Sequence, residues 1–395
     1  MTVLLVLLLS LAAAAQETRD ILAQLSKITT LAVLKPVVQQ TMKRDQLKDY
    51  FEARIKEVVK PEEIRVEELT LKMFGFAPPG FDLKKTTIDL MAEQAAAFYD
   101  YRKRKMVLLE GGEGGAMQEM ALIHELAHAL ADQHFNLERF LKKGNSSDDS
   151  SLARTAVMEG QATYLMSEFM ARKMGQSLKD SPTMVDMMSR MAASGGSGFP
   201  VFESVPLYMR ESLVFPYARG MVFQHKAVEK YGEKGYSEVF QRPPNTTREI
   251  LHPEVYFERA VPAQVKLPTL PSERGWKKSA EGTIGEFDHV VLLKQYDKDH
   301  EALAAEWRGG RYQVWERKSG KGAVLAYASA WSDAAKAREF LASYREILKG
   351  KWKQCEFTGE SETTLAGKSE DGHFRVRVDG SQVSSLEGLD APVEP

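Results

Sequence analysis

The sequence predicts an α+β protein: a mostly helical region with a small edge sheet as far as residue 261, then a compact C-terminal α+β domain. Three observations carry this. Apolar residues recur at three-to-four spacing through most of the first 260 residues. Pro262, Pro268 and Pro271 then mark a stretch of extended character. Beyond it, segments alternate or run apolar in the manner of paired strands. With 395 residues, 43% of them hydrophobic, the chain can bury the cores of two or three domains. The expected divisions are 1–15, 16–92, 93–261, a linker at 262–274 and a domain at 275–395.

Lys and Arg number 53 against 55 Asp and Glu, a balance that argues against a nucleic-acid or acidic-membrane partner. The single cysteine, Cys355, leaves no intramolecular disulfide to form. Val3 to Leu11 is apolar but for Ser10 and leads into Ala12-Ala13-Ala14-Ala15. That run is short for a membrane span, and an Ala-x-Ala pattern ending at Ala15 fits signal peptidase. No Lys or Arg precedes it, which is unusual for a signal peptide. Export with no membrane span after cleavage is expected. Asn145-Ser-Ser and Asn245-Thr-Thr are formal glycosylation sequons.

Residues 18 to about 91 read as helices. Ile21, Leu22, Leu25 and Ile28 keep helical spacing, Phe51, Ile55, Val58 and Val59 repeat it, and Pro36, Pro61 and Pro78-Pro79-Gly80 punctuate it. This is read as an integral helical subdomain. Phe98 to Leu109 looks like a strand pair about a basic turn at Arg102 to Lys105. The glycine run 111–115 then leads into a helix with Gly115 near its N-cap. Another helix is expected from about Ser150 to Met174, behind the capping-rich residues 145–150. A methionine-rich segment, a Gly/Ser loop at 193–198 and a helix from Leu213 to Tyr231 follow. In the C-terminal domain, 311–316, 323–327 and 374–378 read as strands, and Asp333 to Leu348 as an amphipathic helix.

The chemistry lies in Ala121 to Leu130, Ala-Leu-Ile-His-Glu-Leu-Ala-His-Ala-Leu, where His124, Glu125 and His128 are surrounded by apolar residues. A helix apolar all round lies inside the protein, and burying two imidazoles and a carboxylate costs several kcal/mol unless something satisfies them. His124 and His128, four apart, share a helical face and can both donate a ring nitrogen to one zinc ion. Glu125, one step round, can reach an activated water. This is the His-Glu-x-x-His pattern of zinc hydrolases. A catalytic zinc takes three protein ligands, and Glu159, embedded in Ala156-Val157-Met158 and Ala162 on the next long helix, is the third candidate. Gly160 costs that helix about 1 kcal/mol, which close packing against the His124 helix would justify. Asp132 and His134 are rivals as ligand. Asp132, four beyond His128, is better placed to bond a ligand from outside the metal's own shell.

His124-Glu-x-x-His128 followed by Glu159-Gly-x-Ala resembles the gluzincin clan of zinc metallopeptidases. The stretch from His124 to Phe135, with Pro243-Pro-Asn-Thr-Thr-Arg-Glu-Ile-Leu-His252-Pro-Glu, is similar to a bacterial family of exported zinc peptidases over roughly Glu93 to Tyr256. The resemblance implies a zincin-like catalytic domain at 93–261, with zinc held by His124, His128 and Glu159. It also implies a sheet edge at Phe98-Tyr-Asp along which an extended peptide lies. Clan members use a tyrosine or histidine to stabilise the oxyanion. Phe-Pro-Tyr217-Ala-Arg219-Gly220 is similar to the Tyr-x-Lys-Gly of zinc aminopeptidases, with Arg for Lys, and His252 is the rival. Gly115-Ala-Met-Gln-Glu119 only superficially resembles the aminopeptidase amine-binding motif, because it lies too close to His124, so an endopeptidase acting on peptide or protein is expected.

Two other functions remain open on sequence: a zinc amide hydrolase acting on a non-protein substrate, and a binding protein that keeps the zinc fold but acts through its C-terminal domain. If the leader is removed after Ala15, the exported protein begins at Gln16. N-terminal sequencing checks this, and an intact Met1 on exported protein would make the segment an anchor.

Overall fold

Helical spacing brings Ile21, Leu22, Leu25 and Ile28 to one face of the first helix, α1 (Thr2–Thr29), and all four are buried. The computed structural model describes residues 2–110, 115–144, 147–195 and 198–393, with side chains from residue 15 onward. The glycines of 111–114, the sequon residues Asn145 and Ser146, and residues 196–197 of the Gly/Ser loop lie outside the described residues. Among the described residues, no helix is long and apolar enough to cross a membrane.

The expectation of helix throughout 18–91 fails after Pro36. Val38–Met42 is a strand, β1, ahead of helices α2 (Leu47–Val58), α3 (Pro61–Phe74) and α4 (Leu83–Gln94). Then β2 (Ala97–Asp100) and β3 (Lys105–Leu109) form the expected antiparallel hairpin. β1 pairs in parallel with the far side of β3, Gln40 opposite Val107. The order is β1-β3-β2, which leaves β2 at an edge. Val-Gln-Gln-Thr-Met carries no apolar alternation, and its partner lies more than sixty residues away, so nothing local marks it as a strand.

Two long helices, α5 (Ala116–Phe135) and α7 (Asp148–Lys173), flank the short α6 (Leu137–Lys142). The Ser147 side chain caps α7 by accepting from Ser150 N. After α8 (Pro182–Ala193) and α9 (Pro200–Ser204) comes α10 (Leu207–Tyr231). It starts six residues before the expected Leu213 and carries Pro216 in its interior, a position that removes one backbone hydrogen bond. Three short helices, α11 (Gly235–Gln241), α12 (Thr247–Leu251) and α13 (Pro253–Glu258), lead to the linker.

The C-terminal part runs β4 (Trp276–Gly282), α14 (Glu286–Tyr296), β5 (Trp307–Arg317), β6 (Ala323–Trp331), α15 (Ala334–Lys351), β7 (Cys355–Glu360), β8 (Thr364–Ser369), β9 (Gly372–Asp379) and β10 (Gln382–Leu389). All strand pairs are antiparallel, in the order β4-β5-β6-β10-β9-β8-β7. The protein is thus α+β. Strand β6 shows how the sheet is covered. Leu325, Tyr327 and Trp331 join the core that contains Phe340 and Ile347 of α15, while Val324, Ala326, Ala328 and Ala330 face the other way. That second face is covered by the linker itself, through buried Val265 and Leu270. Ala263 N donates to Arg308 O at 2.8 Å, and Gln382 bonds both backbone groups of Lys266. The proline-bearing stretch is a strap pinned to the sheet.

The main core runs unbroken from Phe74 and Phe76 through Phe215 and Phe287 to Tyr327 and Tyr344. Phe74 meets Tyr312 and Tyr327 edge-on, with ring centroids 5.4 and 5.8 Å apart. Gly75, left-handed at φ 83°, ends α3 and offers its carbonyl to Tyr296 Oη at 2.6 Å and Gln295 Nε2 at 3.0 Å. Buried Lys351 bonds Met73 O and pairs with Glu387. Helix α3 is therefore bolted to the C-terminal sheet.

A second set of polar contacts, with Asp149 and Asp288 buried, joins the start of α7 to the C-terminal part. Asp149 Oδ1 accepts from Thr247 N at 2.9 Å and Thr247 Oγ1 at 2.5 Å. Asp148 accepts from Tyr312 Oη at 2.5 Å, and Asp288 from Gly285 N at 2.6 Å and Tyr208 Oη at 3.0 Å. Burial pushes Asp149 up to about 7, against the Thr247 hydrogen bonds and with the help of Glu249 and Glu286. Burial also pushes Asp288 up to about 7, with Asp149 adding to it. The folded protein therefore keeps protons that the unfolded chain releases above its ordinary carboxylate pKa. That stabilisation is fully present below about pH 4 and is lost as pH rises through about 7. Asp149→Asn keeps the accepting oxygen and removes the charge. It is expected to melt close to wild type near pH 4 and increasingly above it as pH rises to 8. A difference in melting temperature that does not change with pH would show that Asp149 is ionised throughout.

Candidate metal centre

Helix α5 is entered through Gly115, whose φ of 92° suits glycine alone and which presents no side chain to neighbours. Leu122, Ile123, Leu126, Ala127, Ala129 and Leu130 are all buried, so the histidines between them are carried inward. Helix α7 arrives alongside with Ala156, Val157 and Ala162 buried around Glu159. His124 Nε2 and His128 Nε2 each lie 3.2 Å from Glu159 Oε2 and 3.1 Å from each other. Among the described residues, these three form the only cluster of histidine, cysteine and carboxylate groups close enough to share a metal ion. The side chains are between 9% and 14% exposed, which keeps bulk water largely away while leaving one side approachable.

The fit to zinc can be tested on these separations. Ligands at about 2.0–2.1 Å around a tetrahedral ion stand roughly 3.3 Å apart. The observed 3.1–3.2 Å edges are close to that triangle. The donor set, two imidazoles and a carboxylate, is one that zinc takes in catalytic sites. Burial alone would raise the pKa of Glu159, but the charge and hydrogen bonds of His128 and His124 outweigh it and hold the carboxyl well below its usual range. The trio is built to keep an anionic ligand ionised.

Glu125 is on the same helix but does not join the trio. Its Oε2 accepts from Tyr99 N at 2.6 Å. Burial pushes it up to about 7, with Glu159 adding and His124 and the Tyr99 N–H opposing. That is the range in which a carboxylate serves as a general base. Tyr217 completes the set, its ring stacked on His124 at 5.9 Å between centroids and 27° between planes. The charge of Glu159, then burial, the charge of Glu125 and a hydrogen bond to Glu159 hold its phenol well above its usual pKa, so it stays a proton donor.

Three sequence expectations change. His252 does not reach the centre: Nε2 lies 2.7 Å from Glu286 Oε1, in the joint with α14. That joint touches α7 at Asp149, ten residues and about 15 Å of helix from Glu159. Of the two candidates, only Tyr217 stands at the trio. Asp132 does not bond His128. It accepts from Tyr99 Oη at 3.0 Å and from Leu137 N at 2.8 Å, capping α6, while His134 bonds Ala32 O. Gly160 is needed for α10, not α5: a Cβ there would stand 2.1 Å from Gly220 C, and one on Gly220 would stand 2.1 Å from Ala156 O. This backbone contact is what carries Tyr217 to Glu159. Tyr99 escaped the sequence reading, although the seven-residue spacing of Glu125 and Asp132 puts both on one helical face.

Comparison with known proteins bears on the other end of the chain. Residues 273–393 match a family described as a domain of unknown function (DUF8575). No curated protein and no solved structure matches the chain.

One zinc ion per chain is expected by elemental analysis, with loss of tight binding in Glu159→Ala and in His124→Ala. Full stoichiometry retained in Glu159→Ala would remove Glu159 from the ligand set.

Proposed function

We propose that the protein is an exported zinc metallopeptidase of gluzincin type, with endopeptidase action on peptides or proteins. The observation that carries this is the convergence of His124, His128 and Glu159 with Glu125 and Tyr217 at their side. A structural zinc site would be closed by a fourth protein ligand. Here the remaining neighbours are a carboxylate poised near neutrality and a phenol, the two groups that hydrolysis needs. The edge position of β2 beside α5 favours an extended substrate, which can pair with the outer backbone groups of the strand other than the Tyr99 N–H that Glu125 holds.

A bound zinc ion supplies Lewis acidity toward a carbonyl and toward water. The chain does the rest. Glu125 removes the proton of the attacking water and returns it to the leaving amine. Tyr217 donates its phenolic hydrogen to the oxyanion as it develops, an interaction worth roughly 3–4 kcal/mol of barrier in comparable sites. His124, stacked on the Tyr217 ring, keeps that donor in place.

The reading is tested by incubating the purified protein with a peptide library, with and without a chelator, and reading the products by mass spectrometry. Glu125→Gln is expected to keep zinc and melting temperature while losing about 10²–10⁴-fold in turnover, because an amide has no basicity at neutral pH. Tyr217→Phe is expected to slow turnover less, again with zinc retained. If Glu125→Gln retains most activity, the hydrolytic mechanism is wrong. Zinc binding without turnover of any peptide would favour a non-protein amide substrate or a binding role.

A further inference from the structure

Residue 99 makes two contacts with α5. Its backbone N–H, turned away from β3, donates to Glu125 Oε2 at 2.6 Å. Its side-chain hydroxyl donates to Asp132 Oδ2 at 3.0 Å. Glu125 and Asp132 are seven residues apart, two helical turns or about 10.5 Å along the axis, so one tyrosine spans the helical face next to that of His124 and His128. The far anchor is firm. Asp132 is 4% exposed, its Oδ1 accepts from Leu137 N at 2.8 Å, and Arg104 Nε lies 3.8 Å from Oδ2.

Apart from the Arg104–Asp132 ion pair, the other polar tethers of this hairpin point elsewhere. Asp100 accepts from Tyr50 Oη, Arg102 N and Lys103 N, which ties the turn to itself and to α2. Among the described residues, the hydrogen bonds between β2 and α5 are the two made by Tyr99. β2 is the outer strand of the three-stranded sheet, with Phe98 packed on Tyr50 and Phe51 of α2 and Tyr99 against the core that holds Leu122 and Leu126. Apolar packing is non-directional, however, and does not by itself fix the strand's position along α5. The Tyr99 hydroxyl adds the directional contact and so fixes where the Tyr99 N–H meets the carboxylate.

We infer that Tyr99 is a positioning residue: its hydroxyl, anchored on Asp132, clamps the edge strand to α5 so that its own N–H fixes one oxygen of Glu125 and leaves the other to take the proton from water. The inference rests on the metallopeptidase reading. A carboxylate with one oxygen held loses rotameric freedom and presents the second in one direction, and displacement of a reacting group by about 1 Å can cost 10²-fold in rate.

The test uses the full-length protein. Tyr99→Phe keeps the ring and the strand and deletes only the hydroxyl. Its kcat is expected to fall by about 10- to 100-fold, with KM changed by less than about threefold and zinc content unchanged. Amide hydrogen exchange at residue 99, followed by NMR on the zinc-free protein, gives a readout independent of turnover. Protection in wild type is expected to drop in Glu125→Ala, which removes the acceptor, and also in Tyr99→Phe, which releases the strand. Wild-type exchange and kcat in Tyr99→Phe would overturn the inference alone, as would a lowered melting temperature with both unchanged. A wild type that binds zinc but cleaves no peptide would overturn it together with the metallopeptidase reading.

Discussion

A carboxylate buried between two imidazoles sets the geometry of the helical half. Glu159 cannot be taken from water uncompensated without several kcal/mol of desolvation, and His124 and His128 are the groups that face it at 3.2 Å. Keeping that contact requires α5 and α7 to lie side by side with almost no slack. The apolar residues flanking both motifs, Leu126 and Ala127 on one helix and Ala156 and Ala162 on the other, supply the close packing. The third wall then follows from glycine. Because Gly160 and Gly220 have no side chains, α10 approaches α7 backbone to backbone, and Tyr217, three residues earlier, falls on His124. Either glycine replaced by alanine would push the phenol away from the trio.

The far end of α7 is governed by a different balance. Asp148 and Asp149 open the helix, where carboxylates favour the macrodipole, yet Asp149 is buried under Thr247 and the start of α14, while Asp148 is tied to Tyr312. Gly285 is required there, because a Cβ would stand 2.0 Å from Asp149 Oδ1. One helix thus bears the carboxylate that faces the two histidines in its middle and the joint to the C-terminal sheet at its start. The stretch matching a domain of unknown function is therefore part of what holds α7, whatever else it binds.

Much of this was legible. The apolar surroundings of His124, Glu125 and His128 gave the site helix, and the same signature around Glu159 gave its partner, because burial of a charged residue leaves a composition trace. Cap chemistry marked the start of α7, and alternation marked β5 and β6. What was hidden depends on contacts between distant segments. β1 has no amphipathic pattern of its own, since its place is set by a parallel partner. The use of Gly160 was misassigned to α5 because spacing shows that a helix is approached closely, never by which neighbour. His252 was a candidate by resemblance, as the rival to Tyr217, but its partner, Glu286, lies 34 residues on in a helix that the sequence did not announce.

Asp132 shows how such a contact changes the meaning of a motif. Four residues beyond His128, it has the right spacing to orient that imidazole, and spacing alone favours that role. Two competing donors decide otherwise. Leu137 N, the first amide of α6, has no helical partner and must be capped, and the Tyr99 hydroxyl, half-buried, also requires an acceptor. Asp132 satisfies both with its two oxygens at 2.8 and 3.0 Å. The carboxylate therefore acts on the site from outside, through the edge strand and the amide that holds Glu125. In this protein the position of the Glu125 carboxylate depends on a sheet, and one strand of that sheet is bonded to the C-terminal end of the same helix that bears Glu125.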